Sequence, residues 1–126
     1  MELANLSKGL PETEPKMRIY GQYVVLNAAA VNLLGIQDGD YIQFAKPVYG
    51  FRNELYIRKA STPSGSYVAR MRKHTARIAS RSLIGILDEK NFGKGCYRIC
   101  PEVTVADEDG TYYNIFFRNY DKKDTD

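Results

Sequence analysis

Between Arg70 and Arg81 six of twelve residues are cationic or titratable: Arg70, Arg72, Lys73, His74, Arg77 and Arg81, with no acid among them. Guanidinium and ammonium groups at that density suit phosphate oxygens, which they contact without regard to base sequence. In a strand running from Tyr67 to Lys73, Arg70 and Arg72 share one face with His74, while Ala69 and Met71 point inward. In a helix, Arg70, Lys73, Arg77 and Arg81 line one side. Either form makes a positive stripe, so Arg70, Arg72, Lys73, Arg77 and Arg81 are the candidate nucleic-acid contacts. The plainer alternative is a solvated face that neutralises Asp88, Glu89 or the acids at 107–109.

Other chemistries find little support. His74 is the only histidine, so no catalytic triad, histidine metal cluster or proton relay can be assembled around a pair. Cys96 and Cys100 are spaced CxxxC, and two thiols do not complete a structural zinc site. Four residues apart on a strand they sit roughly 13 Å from each other, too far for a disulfide, and read as buried thiols in a reducing compartment. Gly93-Lys94-Gly95 lacks the rest of a Walker loop. Asp107, Glu108 and Asp109 beside Gly110 read as a turn, not a calcium loop. No nucleophile lies in an elbow motif. The chain is therefore expected to be non-enzymatic, with no cofactor and no metal.

The aromatic stretch from Thr111 to Tyr120 points to a different use. Alternation places Tyr112, Asn114, Phe116 and Arg118 on one face and Tyr113, Ile115 and Phe117 on the other. Both faces are partly apolar, as in a strand covered on two sides. Tyr112, Tyr113, Phe116 and Phe117 are accordingly candidates for an oligomer or protein–protein interface.

A chain of 126 residues, 44% hydrophobic, can bury one core as a single domain. Ten tyrosines and five phenylalanines without a tryptophan tilt it toward β structure. The net charge of +3 permits an acidic partner without demanding one. Met1 to Leu10 has no apolar signal core, and no run approaches a membrane span, so a cytoplasmic location with no membrane partner is expected.

Residues 1–16, with Pro11 and Pro15, read as an extended arm, and 121–126 as a frayed charged tail. Between them, 17–120 reads as one barrel domain: repeat one at 17–60, the STPSGS linker at 61–66 and repeat two at 67–120. In the first repeat Met17–Tyr20 and Tyr23–Leu26 are strands. Asn27 caps a short helix whose Ala30, Val31, Leu33 and Leu34 form an apolar stripe, and Gly35 ends it. Gln37 to Asp40 is a turn, Tyr41–Ala45 a strand, and Glu54–Ala60 its hairpin partner after breaks at Pro47, Gly50 and Asn53. The second repeat follows the same order. Thr75–Ala79 is a strand and Ser80 a cap. Arg81–Leu87 is a helix burying Leu83, Ile84, Ile86 and Leu87, and Tyr97–Val105 and Tyr112–Arg118 form a hairpin. Gly39 and Tyr41 map onto Gly95 and Tyr97, and LYIR at 55–58 onto IFFR at 115–118. The expected fold is mainly β: a small closed β-barrel of two β-α-β-hairpin repeats, of swapped-hairpin or double-psi type, with two short helices.

Residues 22–60 resemble the DNA-binding domain of AbrB-like transition-state regulators and MazE-type antitoxins. The matching features are VVL before the helix, LLGI, DGDYIQF and a hairpin ending in LYIRKA. Gly39-Asp40 is similar to the GD box shared by swapped-hairpin and double-psi cradle-loop barrels. There Gly39 would let the backbone pass close under a neighbouring strand, and the Asp40 carboxylate would accept from amides across the barrel. The resemblance implies that one unit cannot close a barrel and that two interleave; here the second copy is covalently attached. It also implies DNA contacts from arginines before the central strand and on the helix. Those positions are Tyr23, Val31 and Asn32 in this chain, and the family's helix-opening proline is Asn27. The first half keeps the frame, and the basic second half is where contacts are expected. The leading expectation is a non-catalytic DNA-binding protein or transcriptional regulator that contacts the phosphate backbone of double-stranded DNA. The second is a structural or assembly subunit, a homo-oligomer or a partner of other proteins.

Overall fold

Two capped helices and four hairpins follow from short-range signals. The computed structural model describes residues 14–48 and 54–120. Most of the expected arm, the charged tail, Gly50 and Asn53 lie outside them. Helix α1 spans Ala28–Leu34. The side-chain oxygen of Asn27 accepts from the Ala30 amide at 3.0 Å and from the Lys16 amide at 2.9 Å, and its Nδ2 donates to the Glu14 carbonyl. One side chain thus caps the helix and ties it to the preceding strand. Gly35, at φ 70°, ends α1 in the left-handed conformation. Helix α2 spans Arg81–Glu89 and is capped by Ser80, whose hydroxyl accepts from the Leu83 amide. It runs two residues beyond the expected end. Leu83 and Leu87 fill its buried stripe, and Ile86 is 47% exposed instead of buried.

The strands are β1 (Lys16–Ile19), β2 (Tyr23–Leu26), β3 (Tyr41–Ala45), β4 (Leu55–Ala60), β5 (Tyr67–Val68), β6 (Arg70–Arg72), β7 (Thr75–Ala79), β8 (Gly95–Asp107) and β9 (Gly110–Ile115). Among the described residues they form a mainly β, antiparallel, barrel-shaped sheet in the order β5-β3-β4-β9-β8-β1-β2-β7-β6. The end strands β5 and β6 are consecutive in the chain, separated by Ala69. The Gly39 amide donates to the Ala69 carbonyl, and the Ala69 amide to the Asp40 carbonyl, each at 2.8 Å. The sheet's ends thus meet through the chain itself, and these two bonds extend the β3–β5 pairing to that junction. Hairpins β1–β2 and β3–β4 do not pair with each other; β8 and β9 stand between them.

Alternation along the strands sends Met17, Ile19, Val24, Leu26, Ile42 and Ile57 inward, where α1 and α2 add Ala30, Leu34, Leu83 and Leu87. Tyr97 is fully enclosed, and its hydroxyl donates to the Gly93 carbonyl at 2.8 Å. Its ring packs on Phe92 with centroids 5.0 Å apart.

Strand β8 outruns the barrel. Its pairing with β9 slips from Cys100↔Asn114 to Thr104↔Tyr113, a bulge of Pro101, Glu102 and Val103 that bends the hairpin. The far end then lies over β3 and β4, where Arg58 holds it. Arg58 is 7% exposed, the one buried charged residue among those described. Its Nη1 donates to Asp107 at 2.6 Å, Nε and Nη2 donate to Gln43 Oε1 at 2.9 and 2.7 Å, and its guanidinium lies 4.2 Å from the Tyr112 ring centroid. Strand β9 stops at Ile115, one residue before the Phe116 amide makes a last bond to the Arg98 carbonyl in the same register. The expected alternation through Arg118 ends with it, and Phe117 lies outside the strand, 52% exposed.

Two substitutions test these constraints. Gly95 has φ 149°, and a Cβ there would overlap the Asn119 amide, which bonds both the Cys96 amide and the Lys94 carbonyl. Gly95→Ala is expected to lower unfolding free energy by about 2–3 kcal/mol. Gly85, helical and facing open space, should gain about 0.5–1 kcal/mol as Ala. Urea melts of both variants check this pair. Arg58→Met should cost about 2 kcal/mol, since it removes charge-assisted hydrogen bonds and ring stacking. Amide exchange at 104–112 should accelerate more than exchange in β1 and β2.

Candidate nucleic-acid interface

The basic segment is a β-hairpin. Arg70 pairs with Arg77, Met71 with Ala76 and Arg72 with Thr75, leaving Lys73 and His74 as a two-residue turn. Lys73 sits there at φ 56°. Met71 and Ala76 face the core, so Arg70, Arg72 and Arg77 project outward together. Lys73 stands at the hairpin tip. Arg81 belongs to α2, past the opposite end of β7, about 17 Å along the strand from Arg72.

Arg70 and Arg77 are directly opposite each other, an arrangement of like charges that opposes pairing. They diverge to different supports. The Arg77 guanidinium stacks 4.1 Å from the Tyr23 ring centroid. Arg70 Nη1 reaches to 4.0 Å from Asp38, and both side chains of that pair are exposed. The buried Nε of Arg77 has no hydrogen-bond partner among the described residues. Of the acids named as neutralising partners for the segment, Asp107 and Asp109 lie by Arg58 instead, at 2.6 and 3.9 Å.

Register carries the same face across the sheet. Val25 pairs with Arg77 on one side and with Arg18 on the other, and Arg18 pairs with Cys96. Lys16 pairs with Arg98. Tyr20, just past β1, stacks on Tyr23 with centroids 4.8 Å apart and planes 29° from parallel. Lys16, Arg18, Tyr20 and Val25 border an open depression of about 170 Å³ on this face. Sequence reasoning missed Lys16, Arg18, Tyr20 and the stacking role of Tyr23. A polar–apolar alternation in Lys16-Met17-Arg18-Ile19 marks two cations as outward, but nothing local says that Arg77 shares their face.

The Gly39-Asp40 turn has a structural place, with a division of labour different from the expected one. Gly39 takes φ 85°, and a Cβ there would meet nothing closer than Arg70 Nη1 at 3.7 Å, so backbone conformation is what calls for glycine. The Asp40 Oδ2 accepts from the Gln37 amide at 2.7 Å, inside its own turn. The carboxylate that accepts from a backbone amide of another strand is that of Asp38, whose Oδ1 takes the Met71 amide at 2.9 Å. The Gln37 amide, with Lys59 3.3 Å away, holds the Asp40 carboxyl below its ordinary value.

Within β9, Tyr112 lies against Arg58, and Tyr113, on the opposite face, packs on the core. Phe116 and Phe117 contact each other at 4.8 Å and are exposed. Cys96 and Cys100 are buried free thiols, and burial pushes the Cys100 thiol up. Among the described residues no cluster of His, Cys, Asp or Glu could hold a metal ion, and no helix is long and apolar enough to cross a membrane.

The depressed carboxyl of Asp40 gives a pH prediction. Its contribution is complete above the unfolded value, near 3.8, and is lost as pH falls through the lower folded value. Asp40→Asn should therefore be less stable than the parent at neutral pH by at most about 1 kcal/mol. In urea melts across a pH series the difference should shrink as pH falls below 3.8 and vanish below the lowered folded value; a difference constant with pH would contradict it.

Compared with protein-family models, with curated proteins and with solved structures, the chain finds no match.

Proposed function

We propose that this protein is a non-catalytic DNA-binding module that holds the phosphate backbone on the outer face of β1, β2, β7 and β6. One observation carries this reading: Arg70 and Arg77 are forced opposite each other on a strand pair, at a cost to the fold. A third arginine, Arg72, stands beside them with no ion pair among the described residues. Phosphate oxygens would relieve that repulsion. Contacts of this kind are independent of base sequence, and they suit a regulator with an AbrB-like barrel in tandem. The runs 16–60 and 67–115 share an order of two strands, a helix and two strands, once β5 and β6 are taken as one interrupted strand. That parallel supports the tandem reading.

A second reading, an assembly subunit, is favoured by a specific feature: Phe116, Phe117, Val103 and Val105 are exposed on and beside the long β8–β9 hairpin. Light scattering over a wide concentration range tests it, and a strict monomer throughout would remove it.

For the DNA reading, labelled duplex and single-stranded DNA are titrated at two salt concentrations with the parent and with Arg70→Ala/Arg72→Ala. Binding should weaken with salt, and the double variant should lose up to about two from the slope of log K against log salt. Both arginines are exposed, so the variant is expected to fold. No binding of either DNA form, or equal slopes for the two proteins, would refute the reading.

A further inference from the structure

The basic face carries aromatic rings among its cations, and a duplex has no use for them. Tyr20 is stacked on Tyr23, Tyr23 is stacked beneath the Arg77 guanidinium, and Tyr20 remains 40% exposed. Tyr20, Tyr23 and Arg77 thus make a contiguous run from the end of β1 across β2 to β7. Beside it lies the depression bordered by Lys16, Arg18, Tyr20 and Val25, with Thr75 on its far side. Thr75 pairs with Arg72, so the depression runs from the exposed ring toward an unpaired guanidinium.

We infer that this face binds single-stranded nucleic acid, with a base stacked on Tyr20 over the depression and the adjoining phosphates held by Arg72, Arg77 and Lys16. This rests on the phosphate-binding reading above and specifies its ligand. In a duplex the base faces are covered by their neighbours, whereas a single strand presents them to an aromatic ring. An exposed ring bordered by cations on one sheet face suits a base together with its flanking phosphates. The helices offer no competing duplex-reading surface. Helix α1 carries no basic residue, and α2 carries only Arg81, at its first position, with Asp88 and Glu89 at its end.

The test compares a labelled oligothymidine single strand with a duplex of equal length, by fluorescence anisotropy, for the parent and for Tyr20→Ala, Tyr20→Phe and Arg72→Ala. The parent should bind the single strand more tightly. Tyr20→Ala should weaken single-strand binding about 5- to 150-fold and leave duplex binding within about twofold. Tyr20→Phe, which keeps the ring, should retain parental affinity, and Arg72→Ala should weaken both forms. Circular dichroism confirms that each variant is folded; if Tyr20→Ala is not, Tyr20→Leu, which keeps apolar bulk without a π face, takes its place. Equal affinity for the two forms, or a Tyr20→Ala loss shared equally by both, would overturn the inference and leave the phosphate reading standing. Failure of the parent to bind either form would remove both.

Discussion

The two ends of this sheet meet at Ala69, through which β5 runs directly into β6. Its amide donates to Asp40 and its carbonyl accepts from Gly39, which extends the β3–β5 pairing and fixes that junction to the turn before β3. An open edge would leave amide and carbonyl groups unpaired. Gly39 makes the approach feasible through its positive φ, and Asp40 holds the turn shut through the Gln37 amide. The neighbouring Asp38 anchors Met71, which aims Arg70 and Arg72 outward. The turn that fixes this junction is thus also the support for the basic hairpin.

Two buried or half-buried arginines show how differently the fold treats positive charge. Arg58 has a partner on every side: Gln43, Asp107 and the Tyr112 ring. It works as a clasp between β4 and the β8–β9 hairpin, and its charge is used up inside the molecule. Arg77 has a ring beneath it, an arginine opposite it and an Nε with no acceptor among the described residues. An interior arrangement of that kind is uphill, because desolvation is not offset by pairing. The same geometry is useful when an anion arrives from solvent.

The outer face also explains why the acidic turn does not neutralise the basic segment. Asp107 and Asp109 are drawn to β3 and β4 by the bulge in β8, away from β6 and β7. With α2 carrying Asp88 and Glu89 at its far end, the basic hairpin has Asp38 as its counter-charge among the described residues, at 4.0 Å from Arg70.

Much of the local structure was legible from residue types alone. Asn27 and Ser80 announce helices because a short polar side chain can reach amides two or three residues on, and Gly35 announces an end because only glycine takes that φ cheaply. Alternation in Lys16–Ile19, Tyr23–Leu26 and Thr75–Ala79 assigns inward and outward faces, and the run from Arg70 to Arg81 advertises its charge. Local rules could not show that Ile86 faces solvent or that β9 ends at Ile115. They also could not show that Asp38, not Asp40, accepts a backbone amide from another strand, since each depends on what packs nearby. Above all, Lys16, Arg18 and Tyr20 join Arg77 on one face through the pairing of β2 with both β1 and β7, across more than fifty residues of chain. Side-chain direction is set by each strand's own period of two. Which strands lie side by side is set by long-range register, and only the closed barrel decides that.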